Sequence, residues 1–141
     1  MPQVYPRNGI VQSDEAPRPV VLFVEDEPLI LIDVLDSVER AGFQILGTHS
    51  ADEAIKILEG RNDIRVVVTD IDIPGSMDGL KLAQAVRDRW PPIELIVASG
   101  KYNLRDEDLP VRGRFFPKPY DVSRLAQTLH ELTSSGGGQR A

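Results

Sequence analysis

The sequence predicts an α/β fold built on a parallel sheet, and three observations carry that prediction. Short continuous apolar runs such as VVLFV (Val20–Val24) alternate with segments whose apolar residues recur at helical spacing. The alternation repeats five times along the chain, which parallel strands joined by right-handed crossovers accommodate. The first run is apolar without polar interruption, as expected of a strand covered by helices on both faces. In such open sheets ligands gather beyond the carboxyl ends of the strands, so the residues just after each run are the ones to inspect.

The elements follow in order. Val20–Val24 forms the first strand, and Pro28 suits the first position of a helix, where its missing N–H costs nothing. Leu31, Val34, Leu35 and Val38 stripe that helix and Gly42 stops it. Phe43–Gly47 is the second strand, and Ser50 with Glu53 makes a capping box for a helix carrying Ala54, Ile55 and Leu58. Val66–Thr69 is the third strand. Leu82, Ala83, Val86 and Trp90 mark the next helix, closed by Pro91 and Pro92. Ile93–Ala98 is the fourth strand, followed by a short helix over Asn103–Leu109 that Pro110 ends. Phe115 and Phe116 belong to the fifth strand, and Val122, Leu125, Leu129 and Leu132 stripe the last helix. Residues 1–18 read as a mobile arm and 134–141 as a flexible tail, leaving 19–133 as the folded domain.

A chain of 141 residues is long enough for one domain with a real core. Its 22 Asp and Glu against 16 Lys and Arg leave a net charge of −6, a poor match to a phosphate backbone. Nucleic acid is therefore not an expected partner. The absence of cysteine excludes disulfides and thiolate metal sites. No apolar run is long enough to span a bilayer, and the N-terminal stretch lacks the apolar segment of a secretory signal. The expected location is the cytoplasm, with no membrane partner.

The strand ends gather chemistry. Glu25, Asp26 and Glu27 follow the first strand, Asp70 the third, Ser99-Gly100 ends the fourth, and Lys118-Pro119 follows the fifth. Clustered carboxylates repel one another and persist where a divalent cation neutralises them. Oxygen ligands without His or Cys favour Mg²⁺, Ca²⁺ or Mn²⁺ over zinc. A carboxylate beside such a metal, with a lysine opposite, can attack phosphorus and form an acyl phosphate. Ser99 can donate a hydrogen bond to a phosphoryl oxygen. Singly, each residue also has a plain reading: Glu25 and Asp26 as solvated acids at a helix start, Asp72 and Asp78 as turn residues, Ser99-Gly100 as a strand exit, Lys118 as a surface lysine. The joint spacing favours chemistry, except at Asp78, where the turn reading is preferred. Tyr120 and Trp90 read as packing residues, and His49 and His130 receive no role.

Four stretches in order, VLFVEDEP, VVVTDIDIPGSMDG, IVASG and FFPKPY, resemble the signatures of the receiver domain of two-component response regulators. The resemblance implies a flavodoxin-like, doubly wound five-stranded parallel sheet of order 2-1-3-4-5 with helices on both faces. It implies that Asp70 is the phosphoacceptor and that Ser99 and Lys118 serve the transfer. Mg²⁺ (or Mn²⁺) would be held by Asp26, by Asp70, by Glu25 through water and by the backbone carbonyl of Asp72. Ser99 and Phe115 would form the switch pair, and Lys118-Pro119 would be a cis peptide. The Asp72 side chain is expected at the pocket mouth, paired with Lys101. A histidine kinase or histidine phosphotransfer protein would supply the phosphoryl group to a stand-alone receiver, and an unknown downstream protein would receive the signal. The chain would be no enzyme beyond slow self-catalysed phosphorylation and dephosphorylation. It departs from the family pattern in three ways: a Glu-Asp acidic pair in place of Asp-Asp, an extra residue in PGSMDG, and a shortened interval between Ser99 and Lys118.

Two other functions fit parts of the pattern. Asp70-Ile71-Asp72 also satisfies the D-x-D core of haloacid-dehalogenase-like phosphohydrolases. There the motif follows the first strand rather than the third, and this chain is short for a substrate-selecting cap. A phosphorylation-independent binding module would be expected to have lost an acceptor, metal or lysine position, and none is lost.

Overall fold

The computed structural model describes residues 18–72 and 79–134. Five strands, β1 (Val20–Val24), β2 (Gln44–Thr48), β3 (Ile64–Asp70), β4 (Glu94–Ser99) and β5 (Gly113–Pro117), form one parallel sheet. Their order is the expected β2-β1-β3-β4-β5. Helices α1 (Pro28–Arg40), α2 (Ala51–Gly60), α3 (Gly79–Arg89) and α4 (Val122–Ser134) cover it. No helix among the described residues is long and apolar enough to cross a membrane.

Side-chain alternation along the strands divides the core in two. Val20, Leu22, Val24, Val67, Leu95 and Val97 pack with Ala54, Leu58, Leu82 and Val86 of α2 and α3. Val21, Phe23, Val66, Val68, Ile96 and Ala98 pack with Leu31, Val34 and Val38 of α1 and Leu125, Leu129 and Leu132 of α4. Each fully buried Val or Leu contributes about 1.5–3 kcal/mol. These two layers hold the strand ends in register.

Local chemistry sets the joints. Pro28 stands at the start of α1, and Gly42 after it takes φ +110°, a conformation that favours glycine. Ser50 Oγ accepts the Glu53 amide at 3.1 Å, but the Glu53 carboxylate accepts the Thr48 hydroxyl, so only half of the expected capping box forms. Gly79 opens α3 directly over the end of β3. A Cβ there would lie 2.4 Å from the Asp70 carbonyl oxygen and 2.5 Å from Ile71 Cα. At the other end of α3, the buried Arg87 guanidinium donates to the carbonyls of Val111 (2.7 Å), Pro91 (2.6 Å) and Ile93 (2.8 Å).

The link from β4 to β5 departs from expectation. The helix over Asn103–Leu109 is reduced to one 3₁₀ turn, Asp106–Asp108. Its acids bind backbone in place of a helical ladder: Asp108 Oδ2 accepts the Arg105 amide and Asp106 Oδ1 the Phe115 amide, both at 3.0 Å. Asp78, the inserted loop around it, and nearly all of the expected arm and tail lie outside the described residues.

Candidate functional site

Parallel register brings the strand ends together. Val24 pairs with Thr69, which sets Glu25 beside Asp70, and Ser99 pairs with Pro117, which sets Lys118 one residue beyond. Glu25 and Asp70 are each 1% exposed and Ser99 is 2% exposed. Carboxylate oxygens of Glu25, Asp26 and Asp70 lie within 4.8 Å of one another. Lys118 Nζ donates to Asp70 Oδ2 at 2.8 Å and to Glu25 Oε2 at 3.2 Å. The Lys118–Pro119 peptide is cis, as expected, and the Lys118 amide donates to the Ser99 carbonyl at 3.0 Å.

One ammonium faces two buried carboxylates with a third acid at the rim, so negative charge is in excess. Burial, then the charge of Asp70, pushes Glu25 up to about 7 against the opposing pull of Lys118. Burial weakens the Lys118 ammonium, but its hydrogen bond and charge contacts with Asp70 and Glu25 outweigh this and raise its pKa. Burial thus makes the charge on this carboxyl costly, and Asp70 adds to that cost. The all-oxygen donor set fits a hard divalent cation, which would supply positive charge.

Asp72 looks away from this cluster. Its amide donates to Asp70 Oδ1 at 2.8 Å, while its carboxylate accepts the Ser99 hydroxyl at 3.1 and 3.2 Å and the Gly100 amide at 3.1 Å. Ser99 Oγ in turn accepts the amides of Lys101 (3.0 Å) and Tyr102 (2.9 Å). The expected pairing of Asp72 with the Lys101 side chain is thus replaced by bonds to Ser99 and Gly100, because the turn after β4 presents its hydroxyl and amide to the carboxylate. Phe115 is half-buried against the α2/α3 core. Ser99 is in step with Leu95 and Val97 of that face, whereas Asp70 is in step with Val66 and Val68 of the other. The acids and the Ser99–Phe115 pair therefore sit on opposite faces of the sheet edge, joined by the Asp70-Ile71-Asp72 turn.

Tyr120 does more than pack. Its ring meets Phe23 edge-on at 6.4 Å and Phe116 at 6.5 Å, as a packing residue should. Burial, followed by the charges of Glu25 and Asp70, raises the pKa of its phenol. The one signal in the sequence was its place two residues after Lys118.

Residues 21–130 match the model of the response regulator receiver domain. Among similar curated proteins, sensor kinase CckA of Brucella abortus (strain 2308) is 30% identical over 124 residues, 85% of this chain and 13% of that protein. Transcriptional activator protein PfeR of Pseudomonas aeruginosa is 32% identical over 116 residues, 77% of this chain and 36% of that protein. The chain thus spans a minor part of the length of these relatives. Among solved structures, a response regulator receiver protein from Sinorhizobium medicae WSM419 aligns with a TM-score of 0.77 at 25% identity, over 84% of this chain and 97% of that one. Response regulator protein TrrA from Thermotoga maritima, in complex with Mg(2+)-BeF, aligns with a TM-score of 0.71 at 24% identity, over 80% and 97%. The matched stretch runs from β1 into α4 and takes in every strand of the sheet, so this chain belongs to the receiver domains of two-component response regulators.

Proposed function

We propose that the chain is a phosphorylation switch in which Asp70 accepts a phosphoryl group from a phosphohistidine on a kinase or phosphotransfer protein. One observation carries this reading. A single ammonium spans Asp70 and Glu25 in a buried pocket, with Asp26 near enough to share a cation. An Asp70 carboxylate oxygen attacks phosphorus, the O–P bond forms as the P–N bond breaks, and the electron pair stays on the imidazole, which takes a proton from solvent. Lys118 bears on the developing phosphoryl charge, and the Asp72 amide orients the acceptor. Asp26 and Asp70, Glu25 through water, and the Asp72 carbonyl are the proposed holders of Mg²⁺ (or Mn²⁺), which would neutralise phosphoryl oxygens. That TrrA is solved with Mg(2+)-BeF, and that sensor kinases are among the relatives, supports the reading.

Output runs through Ser99. A phosphoryl group on Asp70 competes with Asp72 for the Ser99 hydroxyl, and Ser99 moving inward releases the Lys101 and Tyr102 amides and opens space for Phe115. The donor's approach is favoured by Leu29 and Ile32 of α1, which stand 82% and 64% exposed. Leu29 also borders a groove with Pro119 and Tyr120, next to Lys118.

Incubation with acetyl phosphate and Mg²⁺ tests the proposal. One phosphoryl group per chain is expected by intact mass, lost in Asp70→Asn and kept in Asp72→Asn. Sustained turnover of a small phosphate ester would support the hydrolase instead. Labelling that survives Asp70→Asn would sink the switch.

A further inference from the structure

Two buried oxygens at the acid site, Glu25 Oε1 and Tyr120 Oη, lack hydrogen-bond partners. Buried polar atoms are rarely left so, because water has been removed and nothing replaces it. The two lie on one face of the sheet edge, since Tyr120 packs on Phe23, two residues before Glu25, and on Phe116, two residues before Lys118, and the Glu25 charge bears on the phenol. Glu25 Oε2 is already provided for, by Lys118 Nζ at 3.2 Å and by the Glu27 amide at 3.4 Å. Lys118 Nζ is also 3.2 Å from Oε1, but without hydrogen-bond geometry. The Tyr120 ring packs on Phe23 and Phe116, contacts that phenylalanine would make equally well. Its hydroxyl is thus surplus to packing, and it lies where the chain has a glutamate arm one methylene longer than aspartate.

We propose that Tyr120 is a positioning residue for the metal site, its phenol O–H donating to Glu25 Oε1 and so holding the long carboxylate in place for the cation. Each Glu25 oxygen then has its own donor, and the side chain is kept from turning Oε1 toward Asp70, where like charges repel. The inference rests on the metal reading proposed above.

Calorimetric titration of the full chain with MgCl₂ tests it, with no phosphoryl donor present. Tyr120→Phe is expected to weaken Mg²⁺ binding by about tenfold, the usual consequence of removing a partner that orients a ligand. In a Glu25→Asp background, whose shorter arm cannot reach the phenol, Tyr120→Phe should change affinity by less than about twofold. Unchanged affinity in the parent background, or an equal loss in both, overturns the proposal. The thermal midpoint without Mg²⁺ reports whether Tyr120→Phe keeps the fold; should it not, Glu25→Asp read alone must reproduce the tenfold loss or the proposal fails. A parent that binds no Mg²⁺ overturns this inference together with the metal reading, whereas normal binding unaffected by Tyr120→Phe overturns this inference alone.

Discussion

The two faces of the sheet edge are held by different physics. On the α1/α4 side, Asp70, Glu25 and Lys118 form a largely buried ion-paired cluster. On the α2/α3 side, Ser99 and Asp72 are joined to one another and to the amides of residues 100–102 by hydrogen bonds in a partly exposed turn. Removing a charge from the first leaves another charge buried and unpaired, a large penalty. Breaking a bond in the second frees amides of residues 100–102, which are exposed and which water can satisfy. The acid side is therefore a preformed site, and the Ser99 side is where rearrangement is cheap. On the proposed function, chemistry would fall to the first and signalling to the second.

Substitutions at Lys118 and Asp72 give that contrast its hardest test. Lys118→Ala leaves Asp70 and Glu25 facing each other without an ammonium, so labelling by acetyl phosphate should slow by about 100-fold. A rate within a few-fold of the parent would show that the cluster needs no such charge. Asp72→Asn exchanges a charged acceptor for a neutral one and loosens its hold on Ser99, which then passes more readily to the phosphoryl group. The phosphoryl lifetime should lengthen by about fivefold, the equivalent of roughly 1 kcal/mol between charged and neutral hydrogen bonds. A shorter lifetime would contradict the competition.

The acid side should also respond to pH. Glu25 moves from 4.5 to about 7 in the metal-free fold, so the folded chain holds this proton more tightly than the unfolded one. That contribution is complete below the unfolded value and is lost as pH rises through the folded one. The thermal midpoint of the metal-free parent should fall between about pH 5 and pH 8, more steeply than that of Glu25→Gln. Parallel curves for the two proteins would refute the assignment to Glu25. The smallest effect belongs to the exposed link before β5. Asp106→Ala removes the acceptor of the Phe115 amide, and urea unfolding should register a loss of about 0.5–1.5 kcal/mol with labelling intact.

The sequence exposed most of this design, and its omissions share a cause. The five strands, the four long helices, the converging acids with Lys118, and the cis Lys118–Pro119 peptide were all legible. Asn103–Leu109 read as a short helix ended by Pro110. It is a single turn because Asp106 is drawn to the backbone of Phe115, across the loop. Asp72 read as belonging with Asp70 or Lys101, its neighbours in the motif or along the edge. Its carboxylate instead finds the hydroxyl of Ser99, at the end of β4, the strand beside β3.

By itself, then, the sequence determined which segments become strands and helices and which carboxylates meet at one edge. Buried apolar runs and helical stripes are local patterns, and parallel alternation converts them into one topology. Only the tertiary structure decided how the polar atoms at that edge are shared. The division of Ser99 between Asp72 and the following amides, and the unpartnered Glu25 Oε1 and Tyr120 Oη, depend on ångström-scale placement across strands. Hydrogen bonds select partners by distance and angle, and those are properties of the packed sheet that spacing along a chain does not encode.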